Sequence, residues 1–409
     1  MSMIGSMSHK EVREKVCLKQ FDTNLRSQLQ EIALFIGKNP ELALQEHKAC
    51  AFLADFFEGQ GFEVERGVGK IPTAFVAKKG KGKPTVAFLA EYDALPGLGH
   101  ACGHNLIATC SVGAAVALAQ VLNLRSGQIQ VIGTPAEEAY GGKVALLKNG
   151  VFKGVDAAMM VHPDNRTEPI KRMLGIQEIK IIFHGKSAHA AAEPEKGINA
   201  LDAAVDAYEK INKIRKKFPK SSRIHGIFSE AGKAPNIIPD KATLWYYVRD
   251  LKMEVVDQIV KAIHTMAQAV SRHHRTRLEF VLTGLAYEPF RPNYTLSHLF
   301  SRHLKQLGMR VKEGDELSGI GSSDIGNVSQ VIPAIHPMVR ITTKGGCHTP
   351  AFTEAALSQG GFEVMWTASQ ALALTALHYF ENSDVQKEVR KEFLGRDEIP
   401  PPFGARNDK

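Results

Sequence analysis

Residues 85–105, TVAFLAEYDALPGLGHACGHN, begin with a continuous apolar run and end in a cluster of polar side chains. The run TVAFLA is typical of a strand that is covered on both faces of a sheet. The segment that follows, NLIATCSVGAAVALAQVLN (105–123), has no polar face and is typical of a buried crossover helix. Three more short apolar runs, at 73–77, 129–133 and 155–161, extend the alternation of strand and helix. The sequence therefore predicts an α/β fold with a mainly parallel, twisted sheet flanked by helices.

The hydrophobic periodicity changes near residue 176. Four strand-like segments and two helical segments follow in the order β-α-β-β-α-β, which is the ferredoxin-like arrangement. We predict an inserted domain at 176–287 and a discontinuous first domain at 1–175 and 288–409. The first domain should end in a long helix at about 353–380, and the polar, Pro-rich stretch GRDEIPPPFGARNDK should form a loose tail.

The composition limits the classes of protein that the chain can represent. Its 409 residues are 44% hydrophobic and 23% charged, which is typical of a globular protein. The balance of 51 basic and 43 acidic residues gives a net charge of +8, but the basic residues are not interleaved with aromatic ones, so we expect no nucleic-acid partner. No apolar run approaches the roughly 20 residues that span a bilayer, and the N-terminus lacks the apolar core of a secretory signal. With five cysteines in no disulfide-framework spacing, we expect a cytoplasmic protein without membrane contact.

Three of the predicted strands are followed by side chains from the metal-ligand set of His, Cys and carboxylate. In an open α/β sheet, ligands bind beyond the carboxyl ends of the strands, so these side chains should meet. Each is weak evidence alone, because a lone histidine is more often a surface or core residue and a buried cysteine is often only a small hydrophobe. Their coincidence at three strand ends favours a metal site. The residues are Asp93, His100, Cys102, His104, Glu137, Glu138 and His162.

The adjacent carboxylates Glu137 and Glu138 suit a division of labour. Consecutive side chains on an extended or turning segment point in different directions, so one carboxylate can bind metal while the other acts as a general base. A metal ion lowers the pKa of its water from 15.7 toward about 7, which leaves a proton that a carboxylate can accept. Adjacent glutamates on a solvated face are the alternative.

Several motifs together resemble a known family. AEYDALPGLGHACGHN, TPAEE, VHP, GKSAHAAAEPEKGINA, APNIIPD and CHTPAF occur in the order found in the amidohydrolase branch of the aminoacylase/carboxypeptidase-type dinuclear metallopeptidases. The resemblance extends from about residue 25 to 380. GSSDIGNVSQVIPAIHP and FTEAALSQGG are similar to the subgroup that contains Xaa-Arg dipeptidase, also called β-alanyl-lysine dipeptidase. The resemblance also implies that the inserted domain serves as a lid and dimerisation domain.

The resemblance implies a role for each of ten residues. Two divalent ions, zinc or manganese, would be held by five ligands, with the cysteine in place of a bridging carboxylate. One glutamate would activate the attacking water and one aspartate would orient the site. In the inserted domain, a histidine would stabilise the oxyanion, typically in the partner subunit's site, and two residues would bind the substrate's carboxylate or carbonyl. In that order the residues are Cys102, His104, Glu138, His162 and His348; Glu137; Asp93; His189; Asn236 and Arg249.

Some of these assignments have plain alternatives. His189 could equally be a loop histidine, and Arg249 could form a surface ion pair. Asn105 stands where many relatives have Asp after the CGH motif, and it cannot supply a charge, so it is left out of the ligand set. His100 is interpreted as a loop residue and Cys347 as incidental.

The predicted function is metal-dependent hydrolysis of the amide bond of a dipeptide or N-acyl amino acid with a free carboxylate, by metal-activated water. The alternative within the enzyme class is an N-acyl-amino-acid or aminobenzoyl-glutamate amidohydrolase. A more distant alternative is a metal-binding protein without turnover. We expect a homodimer whose substrate is a small molecule.

Overall fold

The computed structural model describes residues 9–312 and 320–395. These residues form two compact units, and each consists of more than one stretch of the chain. The predicted C-terminal tail lies outside the described residues, except for its first residue, Gly395. The first unit contains 9–171, 291–312 and 328–395, and the second contains 172–290 and 320–327.

Residues 320–327 lie in the second unit, whereas the sequence analysis predicts them in the first domain. Two hydrogen bonds attach this stretch to the second unit. The amide of Leu174 donates to the carbonyl of Gly321 at 2.8 Å, and the amide of Glu288 donates to Oδ1 of Asn327 at 3.0 Å. Such contacts join residues far apart in sequence, so the hydrophobic periodicity carries no trace of them.

Among the described residues, the first unit is built on a six-stranded sheet. Thr85–Ala90 lies between two parallel neighbours and all of its residues are buried, as its continuous apolar run predicts. Phe75–Lys81 pairs antiparallel with both of its neighbours, because the three residues that connect it to Thr85 are too few for a parallel crossover. The predicted α/β fold is therefore confirmed, with a sheet that is parallel on one side and antiparallel on the other. The strands across the sheet are Glu63–Arg66, Phe75–Lys81, Gly127–Gly133, Thr85–Ala90, Ala157–Met159 and Ala334–Ile335.

Helix His104–Val121 is the predicted crossover helix, and it lies at the centre of the first unit. It contacts strand Thr85–Ala90 and helices Thr23–Lys38 and Gln359–Glu381. Of the helices in the described residues, it alone is long and apolar enough to cross a membrane, but 89% of it is buried inside the protein, as in a core helix. The other helices of this unit are His9–Lys19, Thr23–Lys38, His47–Gly59, Gly142–Lys148, Tyr294–Gln306, Pro350–Ala356, Gln359–Glu381 and Ser383–Leu394. Two short parallel strands, His162–Asp164 and Met338–Arg340, pair beside the sheet, and helix Ile325–Val331 joins residues of both units.

The prediction of one long helix at 353–380 is wrong. The chain forms two helices that are separated at Ser358, whose hydroxyl accepts a hydrogen bond from the amide of Gly361 at 3.1 Å and so begins the second helix. A Cβ on Gly361 would lie 2.3 Å from the carbonyl oxygen of Ala355, so the close approach of the two helices needs glycine there. A further helix then begins after Asn382, whose side chain accepts from the amides of the first turn.

The second unit has the predicted ferredoxin-like order. Two helices cover one face of an antiparallel sheet whose strands are arranged fourth, first, third and second in chain order. Strand Lys241–Asp250 illustrates the alternation, since Leu244, Tyr246 and Val248 face the buried core of this unit. Across the sheet the strands are Arg277–Tyr287, Gly175–His184, Lys241–Asp250 and Arg223–Glu230, and the helices are Ala200–Arg215 and Met253–His273.

Candidate metal centre and active site

The strand ends of the first unit bring the predicted ligands together. Strands Thr85–Ala90, Gly127–Gly133 and Ala157–Met159 are mutually parallel, so their carboxyl ends meet at one edge of the sheet. Three groups of potential ligand atoms lie there, and the atoms within each group are within 4.8 Å of one another. The groups are Cys102, His104 and His162; Cys102, Glu138 and His348; and His104, Glu137 and Glu138.

Asp93 orients His104. Nδ1 of the imidazole lies 2.9 Å from Oδ1 of Asp93 and 2.9 Å from its backbone carbonyl, so Nδ1 carries the hydrogen and Nε2 keeps its lone pair. The helix that begins at His104 can start there because Gly103 has φ of 75°, and a Cβ on it would lie 2.9 Å from the ring of Pro163. The sequence thus places a histidine ligand at a helix start that only glycine permits.

Buried carboxylates make the surroundings of His104 favourable for positive charge. Burial opposes ionisation of the imidazole, but Asp93, Glu91 and Glu138 together raise the pKa of His104 well above its usual value. Burial likewise opposes ionisation of Asp93, yet its contact with His104 lowers the pKa of this carboxyl below its ordinary value. A proton on Nε2 and a divalent cation would satisfy the same need for positive charge.

Cys102 and His162 lie opposite His104. Sγ of Cys102 is 3.5 Å from Nε2 of His162, whose Nδ1 donates to the carbonyl of Pro163 at 2.6 Å. Burial lowers the pKa of His162, so its ring is neutral and its Nε2 lone pair points at the thiol. A hydrogen bond with Cys347, burial and nearby carboxylates raise the pKa of Cys102, so its thiol ionises only when a cation offsets them.

Glu138 lies between two imidazoles. Its Oε1 is 3.4 Å from Nε2 of His348 and 3.9 Å from Nε2 of His104, and its amide donates to Oδ2 of Asp93 at 2.9 Å. Although burial opposes it, contact with His348 and His104 lowers the pKa of Glu138, which is therefore a carboxylate. The adjacent Glu137 lies within 4.8 Å of His104.

The donor set fits divalent metal ions. Nε2 of His104 and Oε1 of Glu138 are buried and make no hydrogen bond with any described residue. Buried polar atoms of this kind are rare unless an ion or water occupies the space between them. Imidazole, thiolate and carboxylate are the ligands of zinc and of related transition metals, and Cys102 belongs to two of the three groups, as a bridging ligand would.

Comparisons with known proteins agree with this site. Residues 173–275 match the profile described as the M20 peptidase dimerisation domain. Over 375 residues the chain is 38% identical to the Xaa-Arg dipeptidase of Mus musculus, which covers 88% of this chain and 87% of that protein. The chain belongs to the M20 peptidase family. As a member of this family, it is a metallopeptidase, a hydrolase of amide bonds.

Two further relatives support the family and the fold. A p-aminobenzoyl-glutamate hydrolase chain of Escherichia coli (strain K12) is 32% identical over 314 residues, which are 72% of this M20 peptidase and 65% of that protein. A crystal structure of a dinuclear metal-binding peptidase of the M20 family from Bacillus subtilis aligns with a TM-score of 0.67 at 22% identity, covering 87% of this chain and 99% of that one. The latter likeness concerns the fold.

Three predicted site residues lie in the second unit of this M20 peptidase. His189 and Asn236 are close together, because the carbonyl of Asn236 accepts a hydrogen bond from the amide of Ala190 at 3.0 Å. Both side chains are exposed. Arg249 is on strand Lys241–Asp250, where its guanidinium lies 5.4 Å from the ring centre of Tyr247. The other seven predicted residues, all in the first unit, lie around the groups of ligand atoms described above.

Residues set aside in the sequence analysis have definite places. Asn105 is not a ligand, since its amide nitrogen donates to the carbonyls of Ala33 and Ala356. His100 is buried, and burial lowers its pKa to about 4, but it belongs to none of the three ligand groups. Cys347 is not incidental, because its thiol shares a hydrogen bond with Cys102.

Sequence reasoning missed a buried ion pair behind His104. Lys143 and Glu91 are both almost completely buried and form a short ion pair, and the second oxygen of Glu91 lies 3.5 Å from Nε2 of His104. Glu91 directly follows the buried strand Thr85–Ala90, so its position at the strand end was a usable signal. Nothing in the sequence around Lys143 indicated that its ammonium group would be buried.

Proposed function

We propose that this M20 peptidase is a dipeptidase that releases a C-terminal amino acid with a free carboxylate, with Xaa-Arg and Xaa-Lys dipeptides as the first candidates. The observation that carries this proposal is the 38% identity, over 87% of its length, to an Xaa-Arg dipeptidase. An amidohydrolase for aminobenzoyl-glutamate or another N-acyl amino acid is the second candidate. It is favoured by the 32% identity to an enzyme named for that substrate.

Two metal ions, zinc or manganese, would be held by the five predicted ligands. Supporting this is the division of the ligand atoms into overlapping groups that share Cys102. When bound, such ions polarise the scissile carbonyl and lower the pKa of the attacking water. A thiolate ligand is soft and favours zinc over manganese. The ligands are Cys102, His104, Glu138, His162 and His348.

Glu137 would act as the general base and then as the general acid. It lies within 4.8 Å of His104 and Glu138, so its carboxylate can reach a water molecule placed between those ligands. The carboxylate takes one proton from the water as the new C–O bond forms. It delivers that proton to the amide nitrogen as the C–N bond breaks, so the leaving group departs as a neutral amine.

His189 would donate to the oxyanion. Its Nδ1 accepts hydrogen bonds from the amides of Ala191 and Ala192, at 3.3 and 3.1 Å. Because Nδ1 is an acceptor, the neutral ring carries its hydrogen on Nε2, on the exposed side chain. This tautomer is the one that can donate to a developing negative charge.

Arg249 and Asn236 would bind the substrate's carboxylate or carbonyl. Nε of Arg249 is buried and makes no hydrogen bond with a described residue, while one terminal nitrogen donates to Ser322 at 3.3 Å. Arginine presents paired donors that match a carboxylate. The exposed amide of Asn236, beside His189, can reach a neighbouring oxygen of the same substrate.

A substrate panel tests the proposal. We would measure release of free amino acid from β-alanyl-lysine, lysyl- and arginyl-dipeptides, hippurate and aminobenzoyl-glutamate, with enzyme loaded with zinc or with manganese. We expect dipeptides to have the highest kcat/KM, and Glu137→Gln to lower kcat by about 10²- to 10⁴-fold. Glu65→Gln, which changes an exposed glutamate on an edge strand, is the matched control. Preference for aminobenzoyl-glutamate would select the second candidate, and metal-loaded enzyme without turnover would refute both.

We further propose a homodimer in which His189 serves the partner subunit's site. The dimerisation-domain match over 173–275 supports it. Glu137→Gln and His189→Ala subunits, each inactive alone, would then regain about a quarter of the wild-type activity when co-expressed, since one site in each mixed dimer has both groups. Absence of recovery in mixed dimers would mean that His189 acts within its own subunit.

We also propose a cytoplasmic location. All five cysteines are free, and a reducing compartment keeps thiols in that state. Cell fractionation with an antibody to the native chain would test it, and recovery in a secreted fraction would contradict it.

A further inference from the structure

Glu46 is a fully buried carboxylate outside the proposed metal and catalytic groups. Its Oε1 accepts two backbone hydrogen bonds, from Leu44 at 3.0 Å and from Ala136 at 2.9 Å. Leu44 is close in sequence, but Ala136 is 90 residues away and directly precedes Glu137. The second contact therefore joins the start of helix His47–Gly59 to the segment that carries the paired glutamates.

Helix capping does not explain this carboxylate. Glu46 stands at the N-cap position of helix His47–Gly59, yet its side chain makes no capping hydrogen bond. The first amides of that helix, of Lys48 and Ala49, donate instead to the carboxylate of Glu41 at 3.0 Å. The chain thus uses one glutamate to cap the helix and a different one to hold Ala136.

The Ala136 turn needs external support. Ala136 has φ of 63°, a left-handed conformation that is unfavourable for a residue with a Cβ. Its own carbonyl accepts from the amides of Tyr140 and Gly141, at 3.2 and 2.9 Å, which closes the turn. Two residues further on, the amide of Glu138 donates to Asp93 at 2.9 Å. Two buried carboxylates therefore hold the amides on either side of Glu137.

We propose that Glu46 is a positioning residue for the reaction: by accepting the Ala136 amide hydrogen, it sets the backbone turn from which the Glu137 carboxylate reaches the attacking water. This inference rests on the proposed role of Glu137. Asp93 holds the amide of the ligand Glu138, so loss of Glu46 should displace the base more than the metal.

The acceptor oxygen, and not the charge, is the feature that the turn requires. Glutamine keeps an oxygen in the same place, whereas leucine and methionine fill the space without an acceptor. We would compare Glu46→Gln, Glu46→Leu and Glu46→Met, with Glu41→Ala as the matched control that removes only the helix cap. Glu46→Met replaces Glu46→Leu if the latter does not fold.

Two measurements separate positioning from general stability. At saturating metal and substrate, we expect kcat of Glu46→Leu to fall by about 10- to 100-fold, with KM changed by less than about threefold, because a misplaced base affects the chemical step. Glu46→Gln should stay within about threefold of wild type in kcat. Glu41→Ala should lower the melting temperature and leave kcat unchanged.

Hydrogen exchange gives a readout that does not depend on activity. We expect peptides covering 134–141 to exchange faster in Glu46→Leu than in the wild type, and to keep their protection in Glu46→Gln. Unchanged exchange and kcat in Glu46→Leu would overturn the inference, as would a Glu46→Gln variant as impaired as Glu46→Leu. Faster exchange in a chain whose wild type hydrolyses none of the panel would refute the proposed function, while unchanged exchange in that chain would refute both.

Discussion

Replacing Asp93 with asparagine tests how the protein prepares a histidine for metal binding. Both oxygens of this buried carboxylate are acceptors: one for Nδ1 of His104 and the other for the amide of Glu138, each at 2.9 Å. Asparagine offers one oxygen and one NH₂ group, so in either orientation one N–H group would face another. If the NH₂ group faces His104, the ring changes tautomer and Nε2 loses the lone pair that a metal requires.

The expected magnitude follows from these two contacts. Loss of the hydrogen-bond partner of a metal-binding histidine typically lowers metal affinity by about 10- to 100-fold, which corresponds to about 1.4 to 2.7 kcal/mol. Asp93→Asn also releases the amide that holds Glu138, so the upper half of this range is expected. The substitution is nearly isosteric, and it leaves no cavity that would add a packing term.

The assay is a competition titration of metal-free enzyme with zinc in the presence of a chromophoric chelator, at fixed pH and salt. Asp55→Asn, which alters an exposed surface ion pair with Arg66, is the matched control and should bind zinc like the wild type. If Asp93→Asn keeps the wild-type dissociation constant within about twofold, Asp93 does not control the His104 tautomer and the reasoning fails.

Three further predictions concern stability and the glutamate turn. Lys143→Met should destabilise the protein by about 3 to 5 kcal/mol in urea unfolding, because it leaves Glu91 charged and buried, and a change below about 1 kcal/mol would contradict this. His303 is buried against a second histidine with a pKa of about 3, below the usual 6.5 or so of an unfolded chain, so the unfolded state takes up its proton first as the pH falls. Stability is therefore complete above about pH 6.5 and declines toward pH 3, by about 2 kcal/mol at pH 5; urea unfolding at pH 7 and 5 should show a smaller decline in His303→Gln. Gly142→Ala would place a Cβ 1.8 Å from a carbonyl oxygen of the turn and should lower both the melting temperature and kcat, whereas Gly59→Ala, with no atom within 4 Å of its Cβ, should change neither, and equal behaviour of the two variants would show that the turn tolerates displacement.

Most of the metal centre was predictable because its residues follow strands whose burial is written into local composition. A fully buried parallel strand is a short apolar run, and its carboxyl end is the usual place for a ligand site. Cys102, His104 and Glu138 could therefore be assigned to one site before their distances were known. His348 had no such strand in front of it, and its assignment came from the CHTPAF motif alone.

The supporting residues were not predictable in this way. Glu46, Glu91 and Lys143 are charged side chains that local rules place at the surface, and only their long-range partners make burial possible. Cys347 likewise acquires its role from a neighbouring thiol far away in sequence. No periodicity records such a pairing, since each partner is neutral evidence without the other.

The sequence by itself determined the α/β class, the ferredoxin-like order of the inserted segment and the strand ends that carry the ligands, because these depend on hydrophobic runs and short motifs. The tertiary structure decided the antiparallel pairing of Phe75–Lys81, the place of residues 320–327 and the contact of Glu46 with Ala136. Each of these depends on hydrogen bonds between distant parts of the chain, whose partners become neighbours only after folding.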